Sequence, residues 1–131
     1  MLVQIEISPG ELLDRIAILE IKQRRLVEAA KRANVISELE RLKQVQTRAV
    51  SLNDDLRRLC IELEHINDEI WVLTDQVYER RRRGLVDEAL ADLCMRAFDL
   101  NRERAQVKRR IDDRLGSSIL EEKSYGDVVS T

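Results

Sequence analysis

The chain carries little of what catalytic and metal sites are usually made from. It has one histidine, His65, and two cysteines, Cys60 and Cys94. The two cysteines have no metal-like spacing and read as buried, reduced thiols. Glu62 and His65 supply once the Glu-x-x-His spacing that helical di-metal sites use twice. A second copy is missing, so one chain offers no such site, and His65 reads as a packing residue beside a helical seam. Four glycines and a single proline leave no Gly-rich phosphate loop. Aromatic residues are 3 % of the chain, so the core must be aliphatic. No apolar run approaches the ~18 residues of a membrane span, and the opening MLVQIEI has neither a basic stretch nor a cleavage site. The net charge of −2 exerts no general pull on nucleic acid or an anionic membrane. No stacking aromatic or second basic patch accompanies the run Arg80–Arg83. The expectation is a cytoplasmic protein with no cofactor, no metal, no membrane contact and no nucleic-acid partner.

What the chain does have is charge and aliphatic side chains in helical order. Charged residues make up 37 % of the 131 and apolar ones 44 %, the balance of a single helical domain over 1–131. Val3, Ile5 and Ile7 alternate with Gln4 and Glu6, which predicts a short strand over 1–7, paired with the C-terminal segment or with a second copy. The stretch that follows, SPGELLDRIAILEIKQRRL, organises the rest. Ser8 can cap, Pro9 suits the first helical position, and Glu11 stands three residues after Ser8. Leu12, Ile16, Leu19 and Leu26 mark one face, while Leu13, Ala17, Ile18 and Ile21 lie on others. A helix apolar on more than one face is buried on more than one side. Its charges, Glu11, Asp14, Arg15, Glu20 and Lys22, then need partners.

This helix is expected over 8–32, with Asn34 capping the next. Within the element 34–83, residues 35–83 contain neither Gly nor Pro, which predicts one long helix of roughly 73 Å at ~1.5 Å per residue. Leu52, Leu56, Leu59, Leu63, Ile66, Ile70, Leu73 and Val77 form a seam at coiled-coil spacing. The alternative is a break near Ser51, with Ser51 as the cap. Gly84 ends the long helix behind four arginines, Asp87 caps a helix over 87–115, and Gly116 stops it. Residues 116–131 form an irregular tail. The expected fold is all-α: an antiparallel bundle of three helices with a long middle one, or four if it breaks near Ser51, plus the short strand and the tail.

Folding the chain at Gly84 sets Ile70 opposite Ala97 and Asn67 level with Asn101, with Arg104 near Glu64 and Lys108 near Leu59. Cys60 and Cys94 fall roughly 20 Å apart along the axis, too far for a disulfide. Folding near Asn34 brings Leu12 to Asp54 or Asp55. The start of the first helix, the end of the last and both tails therefore meet at the waist of the long helix. The free N–H groups at the start of the first helix favour a negative group there. Arg15, Lys22, Arg104 and Lys108, with the amides of Asn67 and Asn101, are the candidates for an anion or polar pocket. The competing and favoured reading makes the cluster an internal salt-bridge network that docks the tail through Glu121, Glu122, Lys123 and Tyr125. Trp71 and Tyr78 read as the edge of the core.

The motifs SPGELLDRIAILEIK, INDEIW (Ile66 to Trp71), NRERAQVKRRID (Asn101 to Asp112) and EEKSY (Glu121 to Tyr125) together resemble a family of small bacterial proteins of uncharacterised function. The resemblance spans nearly the whole chain. It implies a bacterial cytoplasmic protein and supplies no activity. The first helix also resembles, loosely, the opening helix of the all-helical chorismate mutases, which grip a dicarboxylate with Arg and Lys on helices. Arg15, Lys22 and Arg25 would take that role. The long middle helix and the lack of a matching Arg–Asp–Glu set depart from that pattern. Three thin layers cannot cover the first helix on every side, so two copies are expected to pair. The sequence thus points to a non-enzymatic helical interaction or scaffold protein acting as a homodimer, with a protein partner as a further option. The alternative is a binder or enzyme for a small anionic metabolite, using the pocket at the waist.

Overall fold

A computed structural model describes residues 1–119, 121 and 122. The described residues form four helices: α1 (Pro9–Arg25), α2 (Ala29–Ala49), α3 (Asp54–Arg82) and α4 (Glu88–Leu115). The all-helical class expected from composition is what the chain adopts. The single long middle helix is not. The chain turns twice where that helix was expected to be entered and to run on, so the four-helix alternative is the one realised.

The first turn comes earlier than Asn34. α1 ends at Arg25, and Leu26 and Glu28 take extended backbone angles open to any L-residue. No glycine, proline or side-chain cap marks the place, and Asn34 lies inside α2. The second turn falls at residues 50–53, near Ser51 as the alternative had it. The cap there is Asn53, whose side chain accepts from the Leu56 N–H at 2.8 Å. Residues 1–7 do not pair, and no strand occurs among the described residues. Met1, Leu2, Val3 and Ile5 stand exposed, with Ile7 alone packed on the core. The expected strand finds no partner strand among the described residues, and an extended segment without one makes no ladder.

α1 is the hub. It packs against α2, α3 and α4, whereas α2 touches no other described helix than α1. This is why α1 is apolar on several faces: Leu12, Leu13, Ile16, Ala17, Leu19 and Ile21 are all buried. α3 and α4 form an antiparallel hairpin, packed through Leu63, Leu100, Val107 and Ile111 and bridged by ion pairs along its length. Arg80 pairs with Asp87 near the tip, Arg96 with Glu69, Arg110 with Glu62, and Arg114 with Asp55 at the base. Asp87 caps α4 by accepting from the Leu90 N–H, and Gly116 closes it in the left-handed conformation.

The hairpin outruns α1. Beyond Leu73 on α3 and before Leu100 on α4, no residue is buried. Val77, Leu90, Leu93 and Ala97 stay half-buried in a two-helix arm. Phe98 and Met95 are each 57 % exposed on α4, and Val72, Tyr78, Leu85 and Val86 are exposed nearby. Among the described residues, no helix is long and apolar enough to cross a membrane.

Candidate functional site

The polar centre sits where the first turns of α1 meet α3 and α4. Asp14 of α1 has no exposed surface. Its carboxylate accepts from Arg104 Nε at 3.0 and 3.1 Å and from Arg104 Nη2 at 2.6 Å. It also accepts from Asn67 Nδ2 at 2.8 Å. Arg104 donates again to the amide oxygen of Asn101 at 3.3 Å, and Asn101 donates to the Ala97 carbonyl. A buried carboxylate is tolerable only with such a shell, because its hydration has been stripped away.

Lys108 is the second node. Its Nζ lies 2.6 Å from Glu11 and 2.7 Å from Glu121. Burial works against its charge, but the two carboxylates prevail and hold its pKa above the ordinary lysine value. Arg104 is likewise raised, burial being outweighed by the Asp14 carboxylate. Burial pushes Glu11 up, and its bonds to Lys108 and Arg15 bring it below the usual carboxylate range.

The helix start is anchored by a third carboxylate. Gly10 N–H donates to Asp112 of α4 at 2.7 Å, and the Ser8 hydroxyl accepts from Glu11 N–H at 3.1 Å. The donors expected to attract an anion are thus taken by Ser8 and by a side chain of the facing helix. Asp112 is buried, and that burial raises its pKa despite the Gly10 and Ser8 bonds. Gly10 is required by proximity: a Cβ there would lie 2.5 Å from the Lys108 carbonyl oxygen and 2.8 Å from Asp112 Oδ1.

The six pocket candidates fall into three places. Asn67, Asn101, Arg104 and Lys108 converge on the centre with Asp14 and Glu11. Arg15 lies on its rim, exposed, and pairs with Glu11 at 3.0 Å. Lys22 stands further along α1 in a neighbouring trough, which it shares with Asn67, Trp71 and Arg104. The tail contributes Glu121 to Lys108 and Glu122 to Arg109 at 3.2 Å. Lys123 and Tyr125 lie outside the described residues.

Asp14, Gly10 and Asp112 were not singled out as site residues. Asp112 carried a signal: an acidic residue in the last turn of a helix opposes the macrodipole, and needs a local reason. Chemically, every cation of the centre meets a carboxylate, so the centre has no free positive charge to offer. The space among Asn101, Arg104, Ala105, Lys108 and Glu121 is about 50 Å³, the scale of a few waters rather than a metabolite. Cys60 is half-buried, and burial raises its thiol pKa, which disfavours a nucleophilic role. No group of three or more His, Cys, Asp or Glu among the described residues is placed to hold a metal ion.

No curated protein and no solved structure matches the chain. Residues 3–131 match the model of a family described as of unknown function, DUF6165, and the chain belongs to that family.

Proposed function

We propose that the protein is a non-enzymatic helical interaction module that acts as a homodimer. One observation carries this reading: the α3–α4 arm extends past α1 and exposes Met95 and Phe98 on one face of α4, with Val72 and Tyr78 on α3. Among the described residues no third element covers the two-helix arm. Burying each large aliphatic or aromatic side chain is worth ~1.5–3 kcal/mol, so a few of them support association. A second copy is the occupant that suits the arm. Much of the arm's basic charge is matched in cis, by Arg80–Asp87, Arg83–Glu79 and Arg96–Glu69. The exposed apolar side chains Met95, Phe98, Val72 and Tyr78 then face a second copy across a two-fold axis, like against like. The exposed Met1–Ile5 segment adds apolar area of the same kind.

The paired charges of the centre support the same reading. They serve as struts that hold α1 to the hairpin, and they leave an anionic metabolite little to bind at the waist. Sedimentation velocity of the full chain across a concentration series tests the proposal. A dimer is expected, with Met95→Glu and Phe98→Glu giving a monomer of unchanged helical content. A wild-type monomer at every concentration would refute it.

A further inference from the structure

A trough of about 270 Å³ opens beside the Asp14–Arg104 pair, where α1, α3 and α4 meet. Ile18, Ile70 and the indole of Trp71 give it an apolar lining, and Lys22, Asn67 and Arg104 are its polar groups nearest the core. These three differ in what they already bind. The charge of Arg104 is matched by Asp14. Asn67 spends its Nδ2 on Asp14, and its amide oxygen has no donor among the described residues. Lys31, Lys43 and Lys108 each meet a carboxylate. Lys22 is half-buried and meets none among the described residues. Asp75 stands at the same trough, but it acts on Arg25 and closes no ion pair with Lys22.

Lys22, half-buried as a residue and bordered by Ile18, Ile70 and Trp71, has no counter-charge among the described residues. A carboxylate supplies one, through the strongest class of hydrogen bond available to lysine. The volume lies just below the ~300 Å³ at which pockets begin to hold drug-sized ligands, so the occupant is small. We propose that this trough binds a small carboxylic acid with a flat apolar body, its carboxylate on the Lys22 ammonium and its body against Ile18, Ile70 and Trp71. A donor on the ligand would find the free oxygen of Asn67. The site lies between helices of one chain and takes no residue from a second copy.

Trp71 is the chain's only tryptophan, and its fluorescence reports the trough without a label. The experiment titrates phenylacetate into the full chain and follows Trp71 emission. A saturable change is expected. Phenylacetamide has the same shape without the charge and is expected to give no saturable change over the same range. Lys22→Ala is expected to weaken phenylacetate binding by about tenfold or more, and Lys22→Arg to recover part of the loss. Absence of saturation, equal binding of the amide, or equal affinity in Lys22→Ala would each overturn the proposal. Helical circular dichroism of the variants separates a lost site from a lost fold.

Discussion

Arg104 holds Asp14 with two nitrogens, Nη2 at 2.6 Å and Nε at 3.0 Å, and so ties α4 to a carboxylate of α1 that has no exposed surface. The geometry is two-pronged, which a lysine cannot reproduce. Removing the guanidinium leaves the Asp14 charge buried with Asn67 as its main donor. Arg104→Ala is expected to cost about 3 kcal/mol or more of unfolding free energy. Arg104→Lys is expected to recover less than half of that. Urea denaturation with a double-mutant cycle on Asp14→Ala measures the coupling directly. A coupling below ~0.5 kcal/mol, the range of ordinary surface changes, would show that the pair is not a strut.

Gly10 meets α4 at backbone distance, so its missing side chain is structural. Alanine is better than glycine in a helix by about 1 kcal/mol. Here that gain is outweighed, because a Cβ would press on the Lys108 carbonyl oxygen, a backbone atom that cannot swing aside. Gly10→Ala is expected to destabilise the fold by about 1–3 kcal/mol. A melting temperature equal to or above wild type would contradict the close approach.

The Asp112 anchor sets a pH dependence with a definite sign. Its folded pKa is raised, so the folded state holds the proton more tightly than the unfolded one. Below the unfolded value of ~3.9 both states are protonated and Asp112 adds no slope. As pH rises past it, the unfolded state ionises first and stability falls, until pH passes the folded pKa. Glu11 is lowered and acts oppositely, adding stability as pH rises towards its unfolded value of ~4.3. The two slopes oppose each other where they overlap, and removing the Asp112 charge leaves the Glu11 limb alone. Asp112→Asn keeps an acceptor for Gly10 N–H and removes the charge. It is expected to lose the falling limb and to match or exceed wild type at neutral pH. Asp112→Ala leaves the buried N–H unpaired, and is expected to cost about 1–3 kcal/mol. Denaturant titrations from below the unfolded carboxylate pKa values up to neutral pH distinguish the three proteins.

How much of this was legible in the sequence follows from what marks a turn. Asp87 and Gly116 bound α4 where expected because a cap and a left-handed glycine are local chemistry. The turn at Leu26–Glu28 was not legible. Its residues use extended angles that demand no special side chain, and nothing in their composition distinguishes them from helix. The break near Ser51 was visible as an option, with Asn53 rather than Ser51 taking the cap. In the centre, the level shared by Asn67, Asn101 and Arg104 follows from the hairpin register. The need of Asp14 for a partner follows from the burial of α1. The pairing of Gly10 with Asp112 depends on how closely α1 approaches α4, which residue spacing within one helix does not encode.

The central claim is that a second copy covers the α3–α4 arm. Hydrogen–deuterium exchange at two protein concentrations, one at which copies separate and one at which they pair, tests it most directly. Slower exchange across residues 74–82 and 88–99 at the higher concentration, with α2 unchanged, is the result expected. Exchange in the arm that is equally fast at both concentrations would contradict it.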